Sequence, residues 1–248
     1  MGRKAGPRHG TMQFWPRKRA NKFLPRVNWN PLIEKREETG LLGFICYKVG
    51  MKSACVKDST PNSMTKNKKI IVPVTIVECP TMKIYSVRFY KDKKPLIDVL
   101  NDNIDKELKG KLKLPGQSKI KTEIERIEKE DKYDDVSVIA YSQVKKTSVK
   151  KTPDITEIGL SGKTKQEKLS WIKERLVKEI SISDVLSAKE KVVDIRGITI
   201  GKGVQGAVKR FGVKLRFHKT EKGQRRVGSI GPWHPSRLTY RVPLPGQM

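Results

Sequence analysis

The chain has 248 residues, 36% of them hydrophobic, with 54 Lys and Arg against 26 Asp and Glu, so its formal net charge is +28. That length supports one large domain or two small ones with a real core, yet a free soluble domain usually carries a net charge of only about 2–8 in magnitude. A surplus of this size calls for a polyanion, and nucleic acid fits best, because each phosphate contacted releases a condensed counterion.

Residues 1–40 read as a basic N-terminal extension. The first 30 residues hold eight Lys and Arg and no acid. Met1 to Gly10 lacks the apolar stretch of a secretory signal, and no run of about 18 apolar residues follows anywhere to span a membrane. Gly2, Gly6, Pro7, Gly10 and Pro16 preclude a long helix. Phe14 and Trp15 lie beside Arg17, Lys18 and Arg19. The segment therefore either contacts RNA, with cations on phosphates and an aromatic on a base, or stays a solvated tail with Trp15 in the core.

Residues 41–95 read as a first barrel segment. Leu41–Tyr47 is a short apolar run leading to Gly50, expected as a buried strand. Ile70–Val77 is a second strand, placed at an edge or bulge by Pro73. Ile84–Tyr90 alternates and forms a third. Residues 96–190 read as an α/β insertion. Ile97, Leu100, Ile104 and Leu108 fall at helical spacing, as do Ile120, Ile124 and Ile127. Val136–Tyr141 is a fourth strand, and Lys163–Ile180 is the strongest helix, with Leu169, Ile172 and Leu176 on one face. Residues 191–248 carry a fifth strand, Lys191–Ile200, and a sixth, Ala207–Phe217, with Lys and Arg on its solvent face. Strands interrupted by helices predict a mainly β fold with α insertions: a β-barrel carrying an α/β insertion.

The surplus charge is not spread evenly. Residues 196–248 hold twelve Lys and Arg against Glu221 alone, whereas residues 31–195 hold 34 bases and 25 acids. The middle reads as a mixed-charge folded body and the two ends as RNA-contacting arms.

Several patterns resemble chemistry without supporting it. Gly201-Lys202-Gly203-Val204-Gln205-Gly206 matches the dinucleotide fingerprint, but the next residues read as a basic strand rather than the helix that must hold a pyrophosphate. The glycines suit close approach of backbone to RNA, with Lys202, Lys209 and Arg210 at phosphates. Gly162-Lys163-Thr164 lacks the upstream glycine of a phosphate loop, since that position is Glu157. His9, His218 and His234 form no triad or metal spacing. Cys46, Cys55 and Cys79 form no C-x-x-C pair and are expected as buried free thiols. No cofactor or metal, no small-molecule substrate and no catalytic group is expected.

Residues 216–241 form a long segment with few core residues, of a length usually reserved for function or disorder. Within it, Gly231-Pro232-Trp233-His234-Pro235 sets a tryptophan on a rigidified tip flanked by Arg225, Arg226 and Arg237. Trp233 either stacks inside RNA or packs back on the barrel.

Several motifs now fall in a specific order. They are Phe14-Trp15-Pro16-Arg17-Lys18-Arg19-Ala20, Gly43-Phe44-Ile45-Cys46-Tyr47-Lys48-Val49-Gly50-Met51, Val72-Pro73-Val74-Thr75 and Lys178 to Val185. The run Gly201 to Lys214, then Gly231 to Pro235, and finally Pro245-Gly246-Gln247-Met248 complete the series. Together they resemble the ribosomal protein "L three" family in its archaeal/eukaryotic form, across nearly the whole chain. The resemblance implies a translation-protein-type six-stranded β-barrel, with a long finger loop (about 216–241) reaching toward the peptidyl transferase centre and Trp233 at its tip. It implies a structural constituent of the large ribosomal subunit that binds rRNA, supports subunit assembly and sits on cytoplasmic ribosomes beside other large-subunit proteins. The expected rRNA contacts are Arg17, Lys18, Arg19, Lys22, Lys202, Gln205, Lys209, Arg210, Lys214, Arg225, Arg226, Trp233, His234 and Arg237. Two departures stand out. Glu221 occupies the position, twelve residues before Trp233, where eukaryotic members carry a modified histidine. Members also continue for several tens of residues past the position of Met248, so the C-terminal part of the barrel is expected to be missing. The competing readings are a nicotinamide-dependent oxidoreductase built on residues 201–206 and a DNA compactor using the same charge.

Overall fold

The structure, a computed structural model, describes residues 20–36, 38–114, 119–186, 192–234 and 244–248. The chain divides into two compact units: Arg26–Asp194, and a second made of Met1–Pro25 with Ile195–Met248.

The first unit opens with a short helix, α1 (Asn30–Ile33), with Pro31 in its first turn. Strand β1 (Gly40–Leu41) follows, then two long strands, β2 (Tyr47–Lys57) and β3 (Lys69–Glu78), that pair antiparallel as a separate ribbon. Strands β4 (Met82–Lys91) and β5 (Lys94–Leu100) make a hairpin. Helix α2 (Ile120–Glu130), β6 (Asp135–Ser142), β7 (Ile155–Ser161) and α3 (Lys165–Arg175) complete the unit. Five strands form one antiparallel sheet in the order β1-β7-β6-β4-β5.

The period of two sets the sheet's faces. Val87 and Phe89 of β4, Val136 and Val138 of β6 and Ile158 of β7 lie on one face and are fully buried. Helices α2 and α3 supply Ile120, Ile124, Leu169 and Ile172 to the same core. Tyr133 meets Phe89 edge-on, with ring centroids 5.1 Å apart. The opposite face is polar: Arg88 reaches Asp98 at 2.7 Å and Glu157 at 2.9 Å. The N-terminus of α3 is capped by Thr164, whose hydroxyl accepts from the Glu167 amide at 3.2 Å, while the Glu167 carboxylate accepts from the Lys163 amide at 3.1 Å. One of the first turn's orphan donors, the Glu167 amide, and the amide of the residue before the cap are thereby satisfied.

One buried carboxylate pins several loops. Asp154 is 2% exposed and accepts from Lys111 at 2.9 Å, Lys150 at 2.7 Å and the Tyr47 hydroxyl at 2.7 Å. Burial alone would raise its pKa, but these donors outweigh the desolvation and hold the carboxyl below its ordinary value.

Several sequence expectations need correction in this unit. Leu41–Tyr47 is not one strand: β1 ends at Leu41 and β2 begins at Tyr47. The break falls at Gly43, where the Trp29 ring lies so close that any Cβ would collide with it, as also at Gly159. Ile97 and Leu100 lie in a strand, not a helix. The turn at Asp92 and Lys93, both with positive φ (49° and 61°), brings the chain straight back along β4, a twist that suits hairpins. Leu108 sits in a single 3-10 turn, Lys106–Gly110. The cysteines are free but not buried: Cys46 and Cys79 are half-buried, and Cys55 is exposed on the ribbon. Strand β7, absent from the sequence expectations, forms the link between β1 and β6. The expected helix Lys163–Ile180 is shorter, Lys165–Arg175, because Ile180 instead exchanges backbone hydrogen bonds with Met82 at 2.8 and 2.9 Å. The remaining strand and helix assignments hold. Ile70–Val77, Ile84–Tyr90 and Val136–Tyr141 fall inside β3, β4 and β6, and the two helical stripes lie on α2 and α3, with Leu176 at the C-cap of α3.

The second unit contains β8 (Val204–Gln205), a one-turn helix α4 (Ala207–Phe211) and β9 (Gly246–Gln247). Among the described residues the chain is mainly β with few helices, and no sheet closes into a barrel. No helix among the described residues is long and apolar enough to cross a membrane.

Candidate nucleic-acid interface

The glycine-rich run is held by the end of the chain. Strand β8 pairs antiparallel with β9, Val204 opposite Gln247 and Gln205 opposite Gly246. The Lys202 amide donates to the Met248 carbonyl at 2.7 Å, and the Met248 amide to the Gly203 carbonyl at 3.0 Å. Gly203, with φ +67°, allows the turn between these bonds. Gln205 turns its amide back to the Lys202 carbonyl at 2.7 Å.

Helix α4 follows directly, which corrects the expected sixth strand Ala207–Phe217. Ala207 and Phe211 stand four apart and bury one face. Gly212, left-handed at φ +66°, ends the helix by donating to the Val208 carbonyl. The spacing of four thus overrides the apparent alternation, and residues 213–217 form no strand. The objection to dinucleotide binding changes with this: a helix does follow the glycines, but it has one turn, and among the described residues no strand leads directly into them. Val192–Ile200, the described part of the expected fifth strand, pairs with no strand among the described residues. Val192, Val193, Ile195, Ile198 and Ile200 are exposed, and among the described residues no strand offers them the backbone partners that a strand requires.

Arg210, expected at a phosphate, is engaged within the protein. Its guanidinium donates to the Leu244 carbonyl at 2.8 Å and lies 5.0 Å over the Phe211 ring. Gly246 packs so tightly against it that any Cβ would collide. Arg216, which no sequence motif singled out, closes the next loop. Its amide donates to Gln224 at 3.0 Å and its guanidinium to the Val227 carbonyl. A cation eleven residues before a Val-Gly step carries no signal in sequence, so this loop closure is visible only in three dimensions.

The other expected contacts face outward. Lys22, Lys202, Lys209, Lys214, Arg225, Arg226 and His234 are exposed, and Gln205 is half-buried. Trp233 is 88% exposed among the described residues. Arg17, Lys18, Arg19 and Arg237 lie outside the described residues, as does Trp15. Glu221 is the only acid after residue 194, so this region cannot neutralise its own cations. Among the described residues no group of three or more His, Cys, Asp or Glu could hold a metal ion.

An exposed tryptophan in a region where cations greatly outnumber acids is the pattern of nucleic-acid-binding surfaces. The family comparison agrees: the model for "Ribosomal protein L3" matches residues 1–248, and the chain belongs to that family. Among archaeal relatives, the large ribosomal subunit protein uL3 of Methanocaldococcus jannaschii is 41% identical over 98% of this chain and 73% of its own length. The uL3 of Methanosphaera stadtmanae is 42% identical over 100% of this chain and 75% of its own. That of Methanobrevibacter smithii is 41% identical, covering 98% and 73%.

Proposed function

We propose that this chain is a structural constituent of the large ribosomal subunit, binding large-subunit rRNA and doing no catalysis. Its partners are rRNA and neighbouring large-subunit proteins, and its place is the ribosome. The observation that carries this reading is Trp233, almost fully exposed in a region of twelve Lys and Arg with one acid, in a chain of this family. Water is a poor environment for such a ring, whereas an unstacked base is a good one. Residues 216–241 act as a finger near the peptidyl transferase centre, with Trp233 and His234 at the tip and Arg225, Arg226 and Arg237 on phosphates. Lys22, Lys202, Lys209 and Lys214 neutralise further phosphates, with Gln205 beside them, and Arg17, Lys18 and Arg19 extend the interface along the N-terminal arm. Arg210 serves this interface indirectly, by holding Leu244 and Gly246 against the helix that carries Lys209.

The finer fold belongs to the same proposal. Residues 1–40 are the extension, 41–95 the first barrel segment, 96–190 the insertion and 191–248 further barrel strands with the finger. The β2–β3 ribbon supplies two barrel strands. Ile70, Val72 and Val74, on one side of β3, are half-buried and would form its inner face. The test is affinity for folded large-subunit rRNA against duplex DNA at matched salt. The expected result is tighter binding to rRNA; equal affinity would favour a general DNA compactor.

A further inference from the structure

The β2–β3 ribbon carries a charge that the body's mixed composition conceals. Residues 48–69 contain Lys48, Lys52, Lys57, Lys66, Lys68 and Lys69 against Asp58 alone. All six lysines are exposed, and none is in an ion pair with a carboxylate among the described residues. Asp58 is turned inward on its own loop. One carboxylate oxygen accepts from the Thr60 amide at 2.9 Å, the other from the Thr65 hydroxyl at 2.6 Å. Lys57 and Lys69 stand directly opposite each other in the ladder, an arrangement that destabilises a strand pair unless an anion lies between them.

The tip is built rather than loose. The Asn67 amide donates to the Asp58 carbonyl at 2.8 Å, Asp58 to Lys68 at 3.1 Å, and Lys68 to Thr65 at 2.9 Å. The Ser63 and Thr65 hydroxyls lie 2.9 Å apart. At the apex Met64 is 96% exposed beside Pro61. A loop ordered in advance loses little freedom on binding, and an apolar side chain at the end of a basic ribbon has the chemistry of a wedge between bases. Strands of this length, about 3.3 Å per residue, carry the tip roughly 35 Å from Tyr47. A two-stranded ribbon also suits the wide, shallow minor groove of A-form RNA.

We propose that residues 57–69 form a further rRNA-binding element, separate from the finger and the N-terminal arm, with Lys57, Lys66, Lys68 and Lys69 on phosphates and Met64 against bases. This rests on the rRNA-binding reading above. The test uses the full chain and large-subunit rRNA, with affinity measured across a salt series for the wild type and for Lys66→Ala/Lys68→Ala/Lys69→Ala. Each phosphate that the variant leaves unneutralised lowers the slope of log K against log salt by about 0.7–0.9. The triple variant should therefore reduce the slope by roughly 2–3 while leaving the circular dichroism spectrum unchanged. A second arm places a photo-crosslinker at Met64→Cys, in a chain with Cys46→Ser, Cys55→Ser and Cys79→Ser so that no other thiol is labelled, in reconstituted subunits, and crosslinks to rRNA are expected. A wild type that binds rRNA with a triple variant of unchanged slope overturns this element alone. Crosslinks to a neighbouring protein and not to RNA do the same. A wild type that does not bind rRNA overturns the parent reading as well.

Discussion

Residues 31–195 hold 34 bases and 25 acids, and many of these meet one another: Lys83 with Asp105, Arg88 with Asp98 and Glu157, Lys168 with Asp135, and two lysines with Asp154. Residues 196–248 hold twelve bases and one acid, and bury only Ala207 and Phe211 among the described residues. Arg210 and Arg216 there donate to backbone carbonyls, and the other described cations of the expected interface face solvent. The contrast separates two tasks. The first region pairs many of its charges around an aliphatic core and supplies stability, and several of its unpaired lysines lie on the β2–β3 ribbon. The second cannot neutralise itself, so its self-repulsion is relieved only by an external anion.

Removing the same side chain from each region tests that division most strongly. Phe89→Ala, at a fully buried position, should destabilise the protein by about 3–5 kcal/mol in urea unfolding. Phe217→Ala, at a position 65% exposed, should change stability by less than about 0.5 kcal/mol. Equal losses would erase the distinction. Asp154→Ala comes next, at about 2–3 kcal/mol, because a buried charged acceptor of several hydrogen bonds is removed while Lys111 and Lys150 can rehydrate. Its carboxyl is held below the ordinary 3.8, so its contribution is complete above that value and disappears as pH falls through the lower folded value. Acid unfolding of Asp154→Asn should therefore show a shallower loss of stability below about pH 4; an unchanged profile would remove Asp154 from this role.

Trp233→Ala should leave unfolding unaltered but weaken rRNA binding by about 1–3 kcal/mol, as removal of one stacked base does. A change in stability without a change in affinity would return Trp233 to a packing role. The smallest effect belongs to the first unit: Thr164→Ala removes the cap of α3 and should cost about 1 kcal/mol, visible as a small shift in the urea midpoint.

The same contrast explains what the sequence disclosed. In the first unit the isoleucine stripe of α2 and the alternation in β4 and β6 are strong periodic signals, and they became core. Ile97 and Leu100 misled because four aliphatic residues at helical spacing also fit a short strand followed by a 3-10 turn; the Asp92-Lys93 turn decided the outcome. In the second unit periodicity has little core to report. Residues 207–217 alternate, yet Ala207 and Phe211 at a spacing of four, with Gly212 behind them, make a helical turn. Charge was legible by counting, as was Trp233 by its Gly-Pro setting. The engagement of Arg210 by Leu244 and Gly246 was not, because it joins residues 34 or more apart through backbone atoms.

The most direct test of the account is co-sedimentation of the full chain with large ribosomal subunits through a series of salt washes. The account predicts that the chain travels with the large subunit at physiological salt and is released only at high salt, with Arg225→Ala/Arg226→Ala released at lower salt than wild type. Free protein at physiological salt, with none on the large subunit, would contradict it.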